Sequence, residues 1–252
     1  RLTVEIPGIK FEDIENVKEY VAKEGMTTGG TGSKVRPVVA CKGTVCTFGL
    51  IDTQGLAYEV HKRFYEGYGD VVLPHKFKIG VGGCANNCVK PDLNDLGIVG
   101  QKVPNYNKDL CKGCKKCQVV EACPMDATRI EDGKLVIDES ICNNCGLCIS
   151  KCIFNAIIPD GKQYYKVYVG GRWGKKVRMG TPISKLFTKD EVLDVVEKAI
   201  LLYKHKGISG ERFGSTVDRL GIEKVEKMLI SDNLLKRKEE ILEEETVGGA
   251  SC

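Results

Sequence analysis

Residues 38–46 read Val38-Val39-Ala40-Cys41-Lys42-Gly43-Thr44-Val45-Cys46, and residues 75–88 read His75-Lys76-Phe77-Lys78-Ile79-Gly80-Val81-Gly82-Gly83-Cys84-Ala85-Asn86-Asn87-Cys88. Each stretch carries a short apolar run into a close pair of cysteines. Four thiolates in two such pairs can hold one cubane iron-sulfur cluster, because each iron of a 4Fe-4S core takes one external ligand. Arg36 stands before Pro37, which favours extended backbone, so residues 38–40 read as a strand delivering Cys41. Residues 76–81 alternate as a second strand, with Lys76 and Lys78 on one face and Phe77 and Ile79 on the other. That arrangement aims two ammonium groups at one place beside the cluster. Between the pairs a helix begins near Asp52-Thr53 and places Leu56, Val60 and Phe64 at i, i+4 and i+8. His61 on that helix reads as a surface or packing residue.

From Cys111 the composition changes. Cys111, Cys114, Cys117 and Cys123 follow C-x2-C-x2-C-x5-C, and Cys142, Cys145, Cys148 and Cys152 follow C-x2-C-x2-C-x3-C. In two-cluster ferredoxins the fourth cysteine of each run serves the other cluster. The expected ligand sets are therefore Cys111, Cys114, Cys117 with Cys152, and Cys142, Cys145, Cys148 with Cys123. Pro124 follows Cys123 as in such ferredoxins, whereas Ile153 follows Cys152. Glu131-Asp132-Gly133-Lys134 marks a hairpin. Twelve of the 13 cysteines sit in tight ligand spacings in a chain far longer than a disulfide scaffold, so the reading is metal ligation. Cys252 ends a Val-Gly-Gly-Ala-Ser tail and reads as an unligated terminus.

The remainder supplies a frame. Residues 2–6 alternate like a strand, and Pro7-Gly8 turns the chain into an amphipathic helix with Phe11, Ile14, Val17 and Val21 on one face and Gly25 at its end. The glycine-rich residues 27–34 lack the Gly-Lys-Ser/Thr order of a phosphate-binding Walker loop. Residues 164–169 read as a strand that enters the basic loop Arg172-Trp173-Gly174-Lys175-Lys176-Val177-Arg178, a flexible cationic segment that suits either a polycarboxylate ligand or a solvated surface. Thr188 and Glu191 make a capping box for a helix burying Val192, Val195, Val196, Ala199 and Ile200, which ends near Gly207. Residues 223–230 read as another helix, and the charged residues 236–245 as a solvated terminal helix.

A chain of 252 residues with 42% apolar content forms one large domain or a domain with an insertion. Its net charge of +4 is too mild to imply nucleic acid. No apolar run approaches a membrane span and no signal peptide opens the chain, so the expectation is a soluble cytoplasmic protein without a membrane partner. Arg1 in place of Met predicts that N-terminal sequence is missing.

Taken together, these motifs resemble the siroheme-dependent sulfite and nitrite reductases, in particular the anaerobic sulfite reductase C subunit and small dissimilatory-sulfite-reductase-like proteins. The resemblance rests on Arg1 six residues before Pro7, Val38-Val39-Ala40-Cys41, Phe48-Gly49-Leu50, His75-Lys76-Phe77-Lys78, Gly83-Cys84-Ala85-Asn86-Asn87-Cys88, Asn94-Asp95-Leu96-Gly97-Ile98-Val99-Gly100 and the ferredoxin-like array after it. It implies an α/β (α+β) siroheme and 4Fe-4S module over residues 1–103, a two-cluster ferredoxin-like insert over 104–161, completion of the module over 162–235, and a charged helix and tail over 236–252. It implies that Cys41, Cys46, Cys84 and Cys88 hold a 4Fe-4S cluster, with Cys88 also bridging to the siroheme iron. Two further 4Fe-4S clusters would occupy the insert. Arg36, Arg172, Lys175, Lys176 and Arg178 are the expected donors to the siroheme carboxylates. Arg1, Lys76 and Lys78 match the family's anion-site residues.

The implied reaction is six-electron reduction of sulfite to sulfide, with nitrite reduction as a neighbouring alternative and a non-catalytic electron-transfer subunit as an alternative of another class. An electron-donor protein or redox subunit is an implied partner, and homo-oligomer formation is compatible with the sequence. Three departures stand out: the first pair is C-x4-C where the family commonly has five intervening residues, Ala85 replaces a proline, and the family's strands before Arg1 are absent from the sequence.

Overall fold

The computed structural model describes residues 4–245. Arg1, Cys252 and the start of the strand expected over residues 2–6 lie outside the described residues, and residues 4–6 form no strand. After the turn at Pro7-Gly8, a 3-10 turn (Phe11–Asp13) leads into helix α1 (Ile14–Ala22), which buries none of its residues. Its apolar face exists as expected, but Phe11 remains 91% exposed.

The chain then builds a five-stranded sheet in the order β1 (Val39–Ala40), β2 (Ile79–Gly82), β3 (Leu96–Gln101), β8 (Tyr164–Val169), β9 (Thr181–Phe187). The β1–β2 and β2–β3 pairs are parallel, and the β3–β8 and β8–β9 pairs antiparallel. Helix α2 (Thr53–Val60) makes the crossover between β1 and β2 and runs on through a π-helical turn, His61–Glu66. Asp52 caps its start by accepting from the Gly55 N–H at 2.9 Å. Leu56, Val60 and Phe64 are buried as their spacing requires, alongside Phe77, Ile79 and Val81. Central strand β3 is buried at every position, which is why its sequence from Leu96 to Gly100 carries no polar side chain and does not alternate; only Gln101 at its end is polar.

Gln101 of β3 pairs with Tyr164 of β8, so residues 102–163 occupy one connection between adjacent antiparallel strands. A small sheet of β4 (Pro104–Tyr106) and β7 (Ile157–Pro159) closes the neck of that connection. Beyond it lie α3 (Gln118–Glu121) and the hairpin β5 (Thr128–Glu131) with β6 (Lys134–Ile137). Asp132 and Gly133 both have positive φ, 49° and 68°, as a two-residue type I′ turn demands. This segment has its own core, in which Val119, Leu135, Ile149 and Ile157 pack with Cys111 and Cys148.

The C-terminal part packs helices on the main sheet: α4 (Lys189–Lys206), α5 (Phe213–Leu220), α6 (Ile222–Ile230), α7 (Asn233–Lys236) and α8 (Lys238–Glu243). Rings of Phe77, Tyr203 and Phe213 form a triangle with centroids 5.2–5.8 Å apart, joining the segment that leads into β2 with α4 and α5. The charged end departs from the expectation of a solvated helix. Leu234 and Ile241 are buried, Lys238 reaches the Glu197 carboxylate at 2.6 Å, and His205 pairs with Glu244 at 2.7 Å. Leu234 and Ile241 are seven residues apart among many charges, so the pattern reads as polar while still supplying one apolar stripe. Among the described residues no helix is long and apolar enough to cross a membrane.

The capping box of α4 is present, with Glu191 accepting from the Thr188 N–H at 2.8 Å. The Lys185 ammonium and that N–H hold the Glu191 carboxyl at about 2, well under its ordinary 4.5. A depressed folded-state pKa stabilises above the unfolded value and ceases to do so as pH falls from 4.5 through about 2. Thr188→Ala should cost about 1 kcal/mol in urea unfolding. Glu191→Gln should flatten the acid limb of stability between pH 4.5 and 2 relative to the parent.

Candidate functional site

The four cysteines of the two pairs come together at the C-terminal ends of β1 and β2. Cys41 follows β1 directly, and Gly83 and Cys84 follow β2. The Gly83 N–H donates to Cys41 Sγ at 3.1 Å, across 42 residues of sequence. Burial pushes the Cys84 thiol up, the Asn86 N–H opposes that, and Cys41, Cys46 and Cys88 raise it further as neighbouring negative charges. Four mutually repelling thiolates are stable together when they share a cation or a cluster. Among the described residues, no group of three His, Cys, Asp or Glu side chains could hold a single metal ion. A cubane places its ligands on separate irons, so its thiolates surround a volume instead of a point.

The backbone around the thiols leaves little freedom. Gly43 has φ 49° and a Cβ there would collide with Thr53 Oγ1, so the turn between Cys41 and Cys46 requires glycine. Thr53, fully buried, donates to the Cys41 carbonyl at 2.7 Å, as does Gln54 Nε2 at 2.7 Å. Asn87 takes φ 54° between Cys84 and Cys88, a conformation asparagine tolerates, and its Nδ2 donates to Asp92 at 2.7 Å. Asn87 Oδ1 is buried without a hydrogen-bond partner among the described residues. Cys41, Cys46 and Cys84 are half-buried, whereas Cys88 is exposed.

A cleft of about 460 Å³ opens at Val89, the residue after Cys88, and is lined by Val39, Lys78, Val89, Lys90, Leu93, Asn94 and Trp173. Apolar floor, aromatic wall and two ammonium groups suit a large, flat, anionic ligand. Lys78 is held by the backbone beneath it: its N–H donates to Asp95 Oδ2 at 2.9 Å. Asp95 is fully buried and receives Arg212 Nη2 at 2.9 and 2.8 Å on its two oxygens. Burial raises the Asp95 carboxyl, against the pull of Arg212 and the Lys78 N–H.

Arg36 is partly buried and hydrogen-bonded to the Gly30 carbonyl through Nη1, while its Nε has no partner among the described residues. His75 stands in the same cationic group. Burial, then Arg212, Lys76 and Arg36, keep its pKa below 6.5, so the ring is neutral at pH 7. Its Nδ1 accepts the Lys76 N–H at 2.7 Å, which leaves the proton on Nε2.

The loop after β8 is closed by mutual backbone bonds between Arg172 and Arg178 at 2.8 and 2.9 Å, with Lys175 and Lys176 exposed at its tip. Arg178 departs from the expected donor set. Its guanidinium binds Asp218 at 2.7 Å, the Gly170 and Met179 carbonyls and Thr181 Oγ1, so it braces the loop from below. Arg212, which no sequence motif singles out, and Asp95, visible only within a longer motif, prove central. Arg1 lies outside the described residues.

In the insert, the thiols fall into two groups. Cys123, Cys142, Cys145 and Cys148 line one pocket, where burial and then Cys142 and Cys145 push the Cys148 thiol up to about 11. Cys114, Cys117 and Cys152 line another. At Cys111, burial raises the thiol, but N–H bonds from Gly113 and Leu135, the Tyr106 hydroxyl and the Lys134 charge together bring it below its ordinary value. The first-named group is tied to the main sheet: the Lys102 N–H, at the end of β3, donates to the Asn144 carbonyl at 2.8 Å. Two residues back, Gly100 packs so closely on the Gly83 carbonyl that a Cβ would stand 2.7 Å from it.

This thiol chemistry defines an iron-sulfur redox protein. Residues 31–238 match the nitrite and sulphite reductase 4Fe-4S domain, and the chain belongs to that family. It is 33% identical over 224 residues to a coenzyme F420-dependent sulfite reductase of Methanocaldococcus jannaschii, covering 88% of this chain and 35% of that protein. It is 32% identical over 220 residues to the anaerobic sulfite reductase C subunit of Salmonella typhimurium, covering 80% of this chain and 62% of that one. The chain thus spans about a third to under two thirds of these two relatives. Among solved structures, a dissimilatory sulfite reductase I superposes with a TM-score of 0.65 at 24% identity, over 88% of this chain and 58% of that one. The Mycobacterium tuberculosis NirA protein gives 0.55 at 15% identity, over 95% and 33%. The fold is that of the sulfite and nitrite reductases.

Proposed function

We propose that this chain is a catalytic sulfite reductase module that binds siroheme in the cleft beside Cys88 and a 4Fe-4S cluster on Cys41, Cys46, Cys84 and Cys88. The observation that carries the reading is the gathering of those four thiols, the last of them directly followed in the chain by Val89 and Lys90 of the cleft that Lys78 and Trp173 also line. Siroheme, when bound, supplies an iron that takes up the oxyanion and feeds electrons into it. Cys88, the most exposed of the four thiols and the neighbour of the cleft residues Val89 and Lys90, is the one assigned to both cofactors. The unpartnered Arg36 Nε–H, with Lys175, Lys176 and Arg172 on the loop that carries Trp173, supplies donors for siroheme carboxylates.

Lys76 and Lys78, with Arg1, hold sulfite and stabilise its negative charge as oxygen leaves. The balance is HSO3− plus six electrons and six protons giving HS− and three waters, so proton delivery must accompany each pair of electrons. The lysine ammonium groups are the suited proton donors, while neutral His75 can offer the anion a hydrogen bond from Nε2–H. Electrons reach the cleft through the insert, whose two thiol groups would carry two further 4Fe-4S clusters, the Cys142 group being the one adjoining β3.

Anaerobically purified protein should show tetrapyrrole absorption and about thirteen irons per chain, twelve in three cubanes and one in siroheme. An iron content near eight without tetrapyrrole bands would identify an electron-transfer subunit instead. With one reductant, sulfite should turn over faster than nitrite; faster ammonia formation overturns the substrate assignment.

A further inference from the structure

The insert is electrostatically polarised. The loops of residues 110–120 and 147–157 hold Lys112, Lys115, Lys116 and Lys151, all exposed, and no acidic residue. Residues 123–128 and 138–146, which flank the other thiol group, hold Asp126, Asp138 and Glu139, with Arg129 next in the chain and 3.8 Å from Asp138. The basic side surrounds the pocket of Cys114, Cys117 and Cys152, about 90 Å³, whose lining includes Lys116, Lys151, Ile153 and Phe154. Ile153 is 76% and Phe154 41% exposed, an apolar pair beside the thiols with ammonium groups around it. Two acids border the first loop, exposed Asp109 and Glu121, and Glu121 pairs with Lys116 only at 3.9 Å and in full view of solvent. The acidic side is the one hydrogen-bonded to β3 through Asn144.

We propose that the face made by Lys116, Lys151, Ile153 and Phe154 is the port where an acidic electron-carrier protein docks. The proposal rests on the iron-sulfur reading of the insert given above. A small apolar centre inside a charged rim is the form of transient redox interfaces, which bury little area and rely on steering. The loops carry lysines and no arginine, point charges that attract an acidic surface without the forked geometry of phosphate recognition. In each encounter the carrier's reduced centre loses one electron and the cluster nearest the face gains it; no bond forms or breaks. The Cys142 group then stands between that cluster and the main sheet, giving the relay a direction.

The test is anaerobic stopped-flow reduction of the holoprotein by a reduced two-cluster ferredoxin of net negative charge, with photoreduced 5-deazariboflavin as a small neutral reductant. At low ionic strength Lys116→Glu/Lys151→Glu should lower the bimolecular rate with ferredoxin at least about tenfold. The charge-matched pair Lys224→Glu/Lys227→Glu, exposed on α6, should change it less than about twofold. Rates with deazariboflavin should be the same in all three proteins. An unchanged ferredoxin rate in the Lys116/Lys151 variant, or an equal fall in the control pair, overturns the port. Iron is counted on the same samples: full iron with unchanged rates refutes the docking face alone, whereas absence of the insert irons refutes the iron-sulfur reading and the port with it.

Discussion

Cys88→Ser should extinguish the siroheme and core-cluster signals together. Cys88 is the exposed member of the four-thiol group and is followed at once by Val89 and Lys90 of the cleft. On the proposed reading it is the thiol that serves both cofactors, whereas Cys41, Cys46 and Cys84 are half-buried. Changes to groups that merely support a metal ligand cost about 10–100-fold. Loss of a shared ligand should exceed that range, so sulfite turnover should fall more than about 100-fold. The check is tetrapyrrole absorption and low-temperature EPR on the same reduced sample. Retained, unshifted tetrapyrrole bands beside a lost cluster signal would reject the shared thiolate.

The contrast with a buried partner is informative. Gly83 supplies the N–H bonded to Cys41 Sγ, and a Cβ at Gly83 would stand 3.3 Å from that sulfur. Any loss there comes through orientation and hydrogen bonding, so it belongs to the milder range.

What can be read in the sequence is what is local in the chain. Cysteine spacings are set by a few residues of turn, so the three thiol groups, the Asp132-Gly133 hairpin and the Thr188–Glu191 box are all legible. Strand β3 shows in the sequence as a motif without declaring itself a strand, because a fully buried central strand loses the alternation that identifies one. Strand β9 escapes for a different reason. It contains Pro182 and Lys185, pairs with β8 through a register shift, and has Ser184 hydrogen-bonded to Glu226 of α6 instead of to a further strand. Among the basic-loop residues, sequence alone does not tell a cation facing a ligand from one already held by protein. Arg178 groups with Lys175 and Lys176 in the chain, yet Asp218, forty residues on, claims it. The same limit hides the Asp95–Arg212 pair, whose partners are 117 residues apart.

That pair carries the second large effect. Asp95 joins four pieces of the site: its carboxylate accepts the Lys78 N–H and the Arg212 guanidinium, its carbonyl accepts the Gly170 N–H at 2.7 Å, and it immediately precedes β3. Removing Arg212 takes the ion-pair partner from a carboxylate whose side chain is 0% exposed, leaving the Lys78 N–H and the Lys78 charge to oppose its burial. Breaking a buried pair in this way costs about 3–5 kcal/mol, more than any single surface change in the molecule. Arg212→Met should therefore lower stability by about that amount in urea unfolding. Asp95→Asn/Arg212→Met should recover much of the loss, since the amide oxygen can still accept the Lys78 N–H without burying a charge. The two variants separate stability from placement. If Asp95 sets where the Lys78 ammonium points, the more stable double variant should still show a raised KM for sulfite with kcat less affected, because no guanidinium then holds the side chain of residue 95 in register. A double variant with parental stability and parental KM would show that the pair merely fills the core. Parental stability in Arg212→Met alone would refute the buried-charge argument itself.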